Sequence, residues 1–245
     1  MSGDIPLFEL NPALDRKALA ETFARERRIQ IRDVLTDQTA NEVRTILMRH
    51  TPWALAWQAG HDGPHVIRRE ALPRVTPEQN AQISRKVTAA VQSEDYAFVY
   101  STYPMLDAYL QKWDEGSPQD LLIEHINDQP FMDLVREVTG MAELRKADAQ
   151  ATLYAPGHFL AEHDDSHVAE GWRVAYVLNM TLGEWRPEWG GYLMFYDEEG
   201  DAVAGFRPRF NALNLFAVPQ KHNVSYVPPF SPVGRFAITG WFRDQ

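Results

Sequence analysis

The rhythm of apolar and polar positions changes near residue 147. Before it, apolar residues recur mostly at helical spacing. Asn11-Pro12 followed by ALDRKALAETFARERR predicts a capped amphipathic helix, and Thr36-Asp37 lead into a second, QTANEVRTILMRH. A third helix is expected from Thr76 to about Glu94, with Pro77 in its first turn. A fourth covers roughly 118–138 and closes at Gly140. IQIRDVL (29–35) and AFVYSTY (97–103) read as strands. WQAGHDGPHVIRRE (57–70) reads as a loop, whose Gly and Pro content suits either a lid or an ordinary surface loop. Trp53 and Trp57 stand at i,i+4 spacing and read as core residues of a helix face.

After residue 147 the pattern is β. ATLYA, RVAYVLNMT, GYLMFYD, NALNLFAV and RFAITGWF are short, apolar and rich in aromatic or β-branched residues. Pro156-Gly157, Gly190-Gly191, Glu199-Gly200 and Pro228-Pro229 separate them as turn signals. Glu198-Glu199 fits a solvated hairpin turn. Helices first and strands later argue for an α+β chain, a helical layer packed against a jelly roll, not alternating βαβ units. The expected organisation is a mostly helical region at 1–147 and a β core at 148–245, integrated into one domain.

Composition narrows the chemistry. The 245 residues contain no cysteine, which removes disulfides, thiolate nucleophiles, zinc-thiolate sites and iron–sulfur clusters. A bound metal must then use nitrogen and oxygen ligands. The formal net charge of −10 gives no bulk attraction for phosphate backbones, so nucleic acid is not an expected partner, although Arg25, Arg27 and Arg28 form a local basic patch. No apolar run approaches the roughly 20 residues of a membrane helix. The start, MSGDIPLFELNP, lacks a basic region and an apolar signal core. No membrane association is expected, and a cytoplasmic location is.

One constellation carries chemistry. In TLYAPGHFLAEHDDSH (152–167) a strand runs through a Pro-Gly turn into His163-Asp164-Asp165. His-x-Asp spacing lets an imidazole and a carboxylate converge on one side of an extended segment. Taken alone, the tripeptide also fits a surface histidine beside solvated acids. His222, just past the strand NALNLFAV, offers the third ligand. Two histidines and one carboxylate make the facial triad of non-haem iron(II) oxygenases, with three positions left open. Arg235 follows on a further strand. 2-Oxoglutarate, chelating a metal through one carboxylate and its keto oxygen, would need a cation for its distal carboxylate, and a guanidinium matches that group bidentately. Alternation alone also allows Arg235 to face water at a strand edge. His50, His61, His65, His125, His158 and His167 complete no better-spaced set.

Taken together, these residues resemble the prolyl-hydroxylase-like branch of the iron(II)/2-oxoglutarate dioxygenases. The resemblance rests on Tyr154 in LYAPG, His163 and Asp165 in EHDDS, VAYVLN (174–179), Gly190-Gly191 in EWGGYLMFY, His222 in PQKHNVSYV, and Arg235 to Trp241 in RFAITGW. It covers about the last 100 residues and implies a double-stranded β-helix with helices packed on one sheet. It implies His163, Asp165 and His222 as catalytic iron ligands, Arg235 as the 2-oxoglutarate anchor and Tyr154 as a hydrogen-bond partner of the same carboxylate. Thr239 shares a strand face with Arg235 and is expected in that pocket, while Trp241 fits core packing better. Asp164 is left as a solvated or supporting group. Related halogenating enzymes replace the carboxylate ligand with a small residue, so Asp165 favours hydroxylation.

The implied reaction couples oxidative decarboxylation of 2-oxoglutarate to succinate with hydroxylation of a C–H bond by dioxygen. Ascorbate is the expected reductant. By analogy alone a prolyl residue in a protein or peptide leads as substrate, followed by a free amino acid or other small metabolite. Two readings from other classes stand beside it: a zinc hydrolase, since this ligand set also suits catalytic zinc, and a jelly-roll binding protein without turnover.

Overall fold

The computed structural model describes residues 7–166, 171–181 and 183–245. His167 therefore lies outside the described residues. Thirteen strands form one curled antiparallel sheet. In chain order they are β1 (Arg28–Arg32), β2 (Ala54–Ala59), β3 (Asp62–Ile67), β4 (Ala97–Tyr103), β5 (Lys146–Ala147), β6 (Gln150–Tyr154), β7 (Phe159–His163), β8 (Trp172–Asn179), β9 (Leu193–Tyr196), β10 (Ala202–Phe206), β11 (Ala212–Ala217), β12 (His222–Val224) and β13 (Arg235–Arg243). They pair in the order β1-β11-β8-β13-β6-β4-β7-β12-β9-β10, with β2 on β4, β3 on β2 and β5 on β13. One edge of β4 serves two partners: Phe98 and Val99 pair with β7, and Ser101 to Tyr103 pair with β6. That shared strand folds the sheet back on itself into the nearly closed barrel of a jelly roll, the double-stranded β-helix.

Helices cover one face. They are α1 (Arg16–Glu26), α2 (Asp37–Thr45), α3 (Pro77–Gln92), α4 (Met105–Leu110), α5 (Pro118–Asn127) and α6 (Gln129–Thr139). Period two divides the strands cleanly. Leu213 and Leu215 of β11, with Ile238 and Phe242 of β13, pack into a core shared with Leu122 and Ile126 of α5 and Phe131 and Val135 of α6. Phe216 and Ala237, on the opposite faces of the same two strands, join Leu193 and Phe195 in a second core inside the jelly roll. Each such large side chain, once buried, contributes about 1.5–3 kcal/mol. No helix among the described residues is long and apolar enough to cross a membrane.

Several expectations shift in detail. The first helix begins at Arg16, not at Asn11, because Asp15 caps it by accepting from Ala18 N at 3.0 Å, while Asn11 accepts from Ala13 N in a turn of its own. Thr76 and Gln79 form a reciprocal capping box at the start of α3. The stretch 118–138 is two helices, broken at Asp128, because Pro130 has no N–H to donate to the preceding helix and instead sits in the first turn of α6. The chain does close at Gly140, whose φ of +71° is the left-handed cap.

The segment 57–70 is not a loop. Residues Ala54–Ala59 and Asp62–Ile67 form a hairpin added to β4, with Trp57 opposite His65. Trp57 is a buried strand residue, not part of a helix, and stacks on His65 at 4.3 Å between ring centroids. The alternation of ALAWQA was short and broken by Gly60, so periodicity underestimated it.

Gly240 tests the packing of the helix-covered sheet. A Cβ there would press into the backbone carbonyl oxygen of Asp148, which no side-chain rotation relieves. Gly240→Ala is expected to cost about 1–3 kcal/mol and to lower the melting temperature by several degrees. An unchanged melting temperature would contradict the close approach.

Candidate metal centre

The two histidines meet because β12 pairs with β7 in a register that sets His222 directly opposite His163. Directly opposed residues project to the same face of an antiparallel pair, and the two imidazole centroids lie 4.1 Å apart. Each ring points its Nδ1 at a backbone carbonyl: His163 to Ala161 O at 3.0 Å and His222 to Gln220 O at 2.7 Å. A carbonyl only accepts, so Nδ1 carries the proton and Nε2 presents its lone pair.

Both Nε2 atoms face Asp165. His163 Nε2 is 3.4 Å from Oδ1, and His222 Nε2 is 3.4 Å from Oδ2. The sequence suggested that strand alternation would bring His163 and Asp165 to one side. The structure achieves it differently: β7 ends at His163, and Asp165 adopts a left-handed φ of +57°, a conformation that aspartate tolerates better than most residues. The turn carries the carboxylate back toward the imidazoles. Asp164 is exposed and its Oδ1 accepts from Ser166 N at 3.0 Å; hydrogen bonding from the Ser166 side chain first, and from that N–H after it, holds its pKa below the ordinary carboxylate value. It is the solvated acid of the pair.

One donor atom from each of His163, Asp165 and His222 lies within 4.8 Å of the others, the one such cluster among the described residues. The donor set is two neutral nitrogens and a carboxylate, open on one side, and it fits a non-haem iron(II) ion. Burial, with the neighbouring His163, pushes His222 down to about 3. The unfolded chain takes up this proton from its ordinary value of 6.5 downward, while the folded chain does not until about 3. Acidification through that window therefore removes stability from the metal-free protein.

Arg235 faces the same cavity, a cleft of about 480 Å³ that also receives Tyr154, Thr239 and Trp241. Its guanidinium is 1% exposed and has no ion pair among the described residues. Nε donates to Asn179 Oδ1 at 3.3 Å, and Nη1 donates to the Gly191 carbonyl at 3.1 Å. Burial lowers its pKa to about 10, which leaves it cationic at neutral pH. A buried charge without a counter-ion is costly, and here the cavity beside it can accept an anion. Tyr154 lies directly across from Arg235 in the β13–β6 pairing, with its ring 5.4 Å from the guanidinium carbon. Thr239, two pleats further along β13, lines the same cavity.

Other groups here were not singled out as site residues from the sequence. Asn179 and Gly191 hold Arg235, and both stood in quoted motifs (VAYVLN and EWGG) without a role. Gly190 has a φ of +61° and accommodates the Tyr226 carbonyl where a side chain would collide. Tyr96, edge-on to His163 at 6.2 Å, and Tyr100, stacked on Tyr154 at 5.2 Å, arrive from the hairpin-bearing region by the alternation of YAFVY. Trp241, expected mainly in the core, both lines the cavity and stacks on Trp172 at 4.0 Å. No residue of 57–70 lines this cavity, so the segment does not sit over it as a lid.

Comparison with known proteins agrees with this geometry. Residues 149–243 match the family model of the 2OG-Fe(II) oxygenase superfamily. No curated protein is matched by the sequence. Among solved structures, a Pseudomonas putida prolyl-4-hydroxylase is similar at 18% identity and TM-score 0.57, over 94% of this chain and 99% of that one. A 2OG-Fe(II) oxygenase-family oxidoreductase from Burkholderia pseudomallei is similar at 11% identity and TM-score 0.59, over 97% and 94%. A Trichoplax adhaerens prolyl hydroxylase, solved with a peptide fragment of the oxygen degradation domain of hypoxia inducible factor, is similar at 16% identity and TM-score 0.51, over 94% and 89%. At these identities the structural likeness is one of fold, and the family match covers the strands that carry the cluster and Arg235.

Asp165→Ala is expected to weaken binding of manganese(II), used as an air-stable probe, by at least about 100-fold, in the upper range for a lost metal-site group. Asp164→Ala should leave it within about threefold. Calorimetric titration checks both. Equal losses in the two variants would contradict the assignment of Asp165 over Asp164.

Proposed function

We propose that this chain is an iron(II)- and 2-oxoglutarate-dependent hydroxylase in which His163, Asp165 and His222 hold the metal and Arg235 anchors the co-substrate. The observation that carries the reading is the pairing, in one cavity, of the three-ligand cluster with a buried guanidinium that lacks a protein counter-ion. A zinc hydrolase or a non-catalytic jelly roll has no comparable use for that charge.

Bound iron would supply the redox chemistry that joins 2-oxoglutarate, dioxygen and R–H into succinate, carbon dioxide and R–OH. The chain's own residues bind and orient. Arg235, held by Asn179 and Gly191, presents its remaining N–H groups to the distal carboxylate of 2-oxoglutarate. Tyr154 and Thr239 offer hydroxyls beside the same carboxylate; neither makes a side-chain hydrogen bond among the described residues. Burial keeps the Tyr154 phenol protonated, so it acts as a donor. Two apolar positions of the inner core, Leu193 and Phe216, line the same cavity and keep water from that wall. Ascorbate serves as reductant in this reading.

For the substrate we favour a prolyl residue in a protein or peptide. The support is the likeness to two prolyl hydroxylases, one of them solved with a peptide, together with a cavity wall of Tyr96, Trp172 and Trp241. Aromatic faces suit a compact, apolar pyrrolidine ring. Proline-containing peptides incubated with the iron-loaded enzyme should gain the mass of one oxygen at proline. Oxygen gained by free amino acids and not by peptides would replace this substrate with a small metabolite.

Arg235→Ala should raise the KM for 2-oxoglutarate at least about thirtyfold, the lower range for a lost partner of a buried charge, with a smaller change in kcat. Succinate formation measures both, since it does not require the prime substrate to be known. An unchanged KM would remove Arg235 from the proposed role.

A further inference from the structure

Two free edges of the curled sheet, β1 and β10, face each other across a cleft of about 630 Å³. On β1, alternation sends Ile29 and Ile31 into the helix-covered core and leaves Arg28, Gln30 and Arg32 on the other face. On the opposite side the chain leaves β10 as Arg207-Pro208-Arg209. Four arginines thus line one cleft in a protein of net charge −10.

Arg28 has partners: Nη1 donates to Gln220 Oε1 at 3.0 Å, and its guanidinium lies 5.0 Å from the centre of the Phe195 ring. The other three have no acid within ion-pair distance among the described residues. Glu26, which also lines the cleft, is engaged with Arg25 at 2.7 Å. Arg32, Arg207 and Arg209 also wall a smaller adjoining cavity of about 220 Å³, where Asp33 and Glu184 stand without reaching them. Arg207 Nη1 meets only the Trp185 carbonyl, at 3.4 Å, and its Nε is buried with no partner.

The cluster is held in place. Gln30 bridges the two edges, donating to the Arg207 carbonyl at 2.9 Å and to Asn214 Oδ1 at 3.0 Å, and accepting from Arg209 Nε at 2.8 Å. Repulsion from Arg207 and Arg32 adds to burial in lowering the pKa of Arg209. Like charges gathered without a counter-ion repel one another, and guanidinium forks match phosphate and carboxylate oxygens. None of the residues lining this cleft lines the metal cavity.

We propose that the cleft between the two free sheet edges binds a small polyanion, a ligand bearing phosphate or clustered carboxylate groups, through Arg32, Arg207 and Arg209. Its volume exceeds that of a lone phosphate and falls within the range of small-molecule sites. Phe206 and Tyr192 supply apolar and aromatic surface for the rest of such a ligand.

The test is equilibrium dialysis of pyrophosphate against the metal-free full-length chain at constant ionic strength, with citrate in a parallel titration to separate phosphate from carboxylate ligands. Saturable binding of at least one probe is expected. Arg32→Ala, which changes an exposed side chain and leaves the packing intact, should weaken it at least tenfold. Arg209→Gln should do the same while keeping its melting temperature. Arg235→Ala should leave binding unchanged. Absence of saturable binding of both probes would overturn the proposal, as would a loss in Arg235→Ala equal to that in Arg32→Ala. The arginines would then serve to keep the two free edges from pairing with other chains. Iron and turnover play no part in the readout, so failure of the oxygenase reading leaves this result interpretable.

Discussion

The register between β7 and β12 sets the two imidazoles of the metal centre against each other. It places His163 opposite His222, and each histidine then fixes its own tautomer through a carbonyl two residues earlier in the chain. A slip of either strand by one residue would turn its histidine to the opposite face from the other. The register is itself secured from two sides. β12 also pairs with β9, and β7 also pairs with β4, the strand that folds the sheet back on itself. The geometry of the two histidines is therefore a property of the whole jelly roll, and the turn after β7 brings Asp165 to them.

Arg235 is the second fixed point. Its burial opposes folding, since a guanidinium has left water without meeting a carboxylate. The structure offsets part of that cost with the Asn179 amide oxygen, the Gly191 carbonyl and the face of the Tyr154 ring. These contacts leave the charge oriented but not neutralised. The Gly190-Gly191 turn makes them available: left-handed φ values at both positions bring the Gly191 carbonyl to the guanidinium, and Trp185 Nε1 fastens the turn by donating to Gly190 O at 2.7 Å. A site organised in this way is complementary to an anionic ligand before the ligand arrives.

The late strands β6, β8, β9, β11 and β13 were legible in the sequence because each is apolar and lies among Gly or Pro turns, and the ligands were legible through their spacing; β7, β10 and β12, short or part polar, were not read as strands. The helical layer was legible through caps such as Thr76 and Gly140. The β2–β3 hairpin was not, since its alternation is short and its second strand, DGPHVI, is half polar and carries Gly and Pro. The supports of Arg235 were hidden for a different reason. Asn179 and Gly191 lie far from Arg235 along the chain and come to it only through the β8–β13 pairing and a backbone carbonyl, and no side-chain pattern announces either. The choice between Asp164 and Asp165 rested on spacing. The structure decides it through a left-handed backbone that spacing does not encode.

The most direct test of the account is a crystal structure of the protein with manganese(II) and 2-oxoglutarate under anaerobic conditions. One metal ion is expected on His163 Nε2, Asp165 and His222 Nε2, with the distal carboxylate of 2-oxoglutarate on the Arg235 guanidinium. A metal ion bound by other residues, or a carboxylate bound away from Arg235, would contradict it.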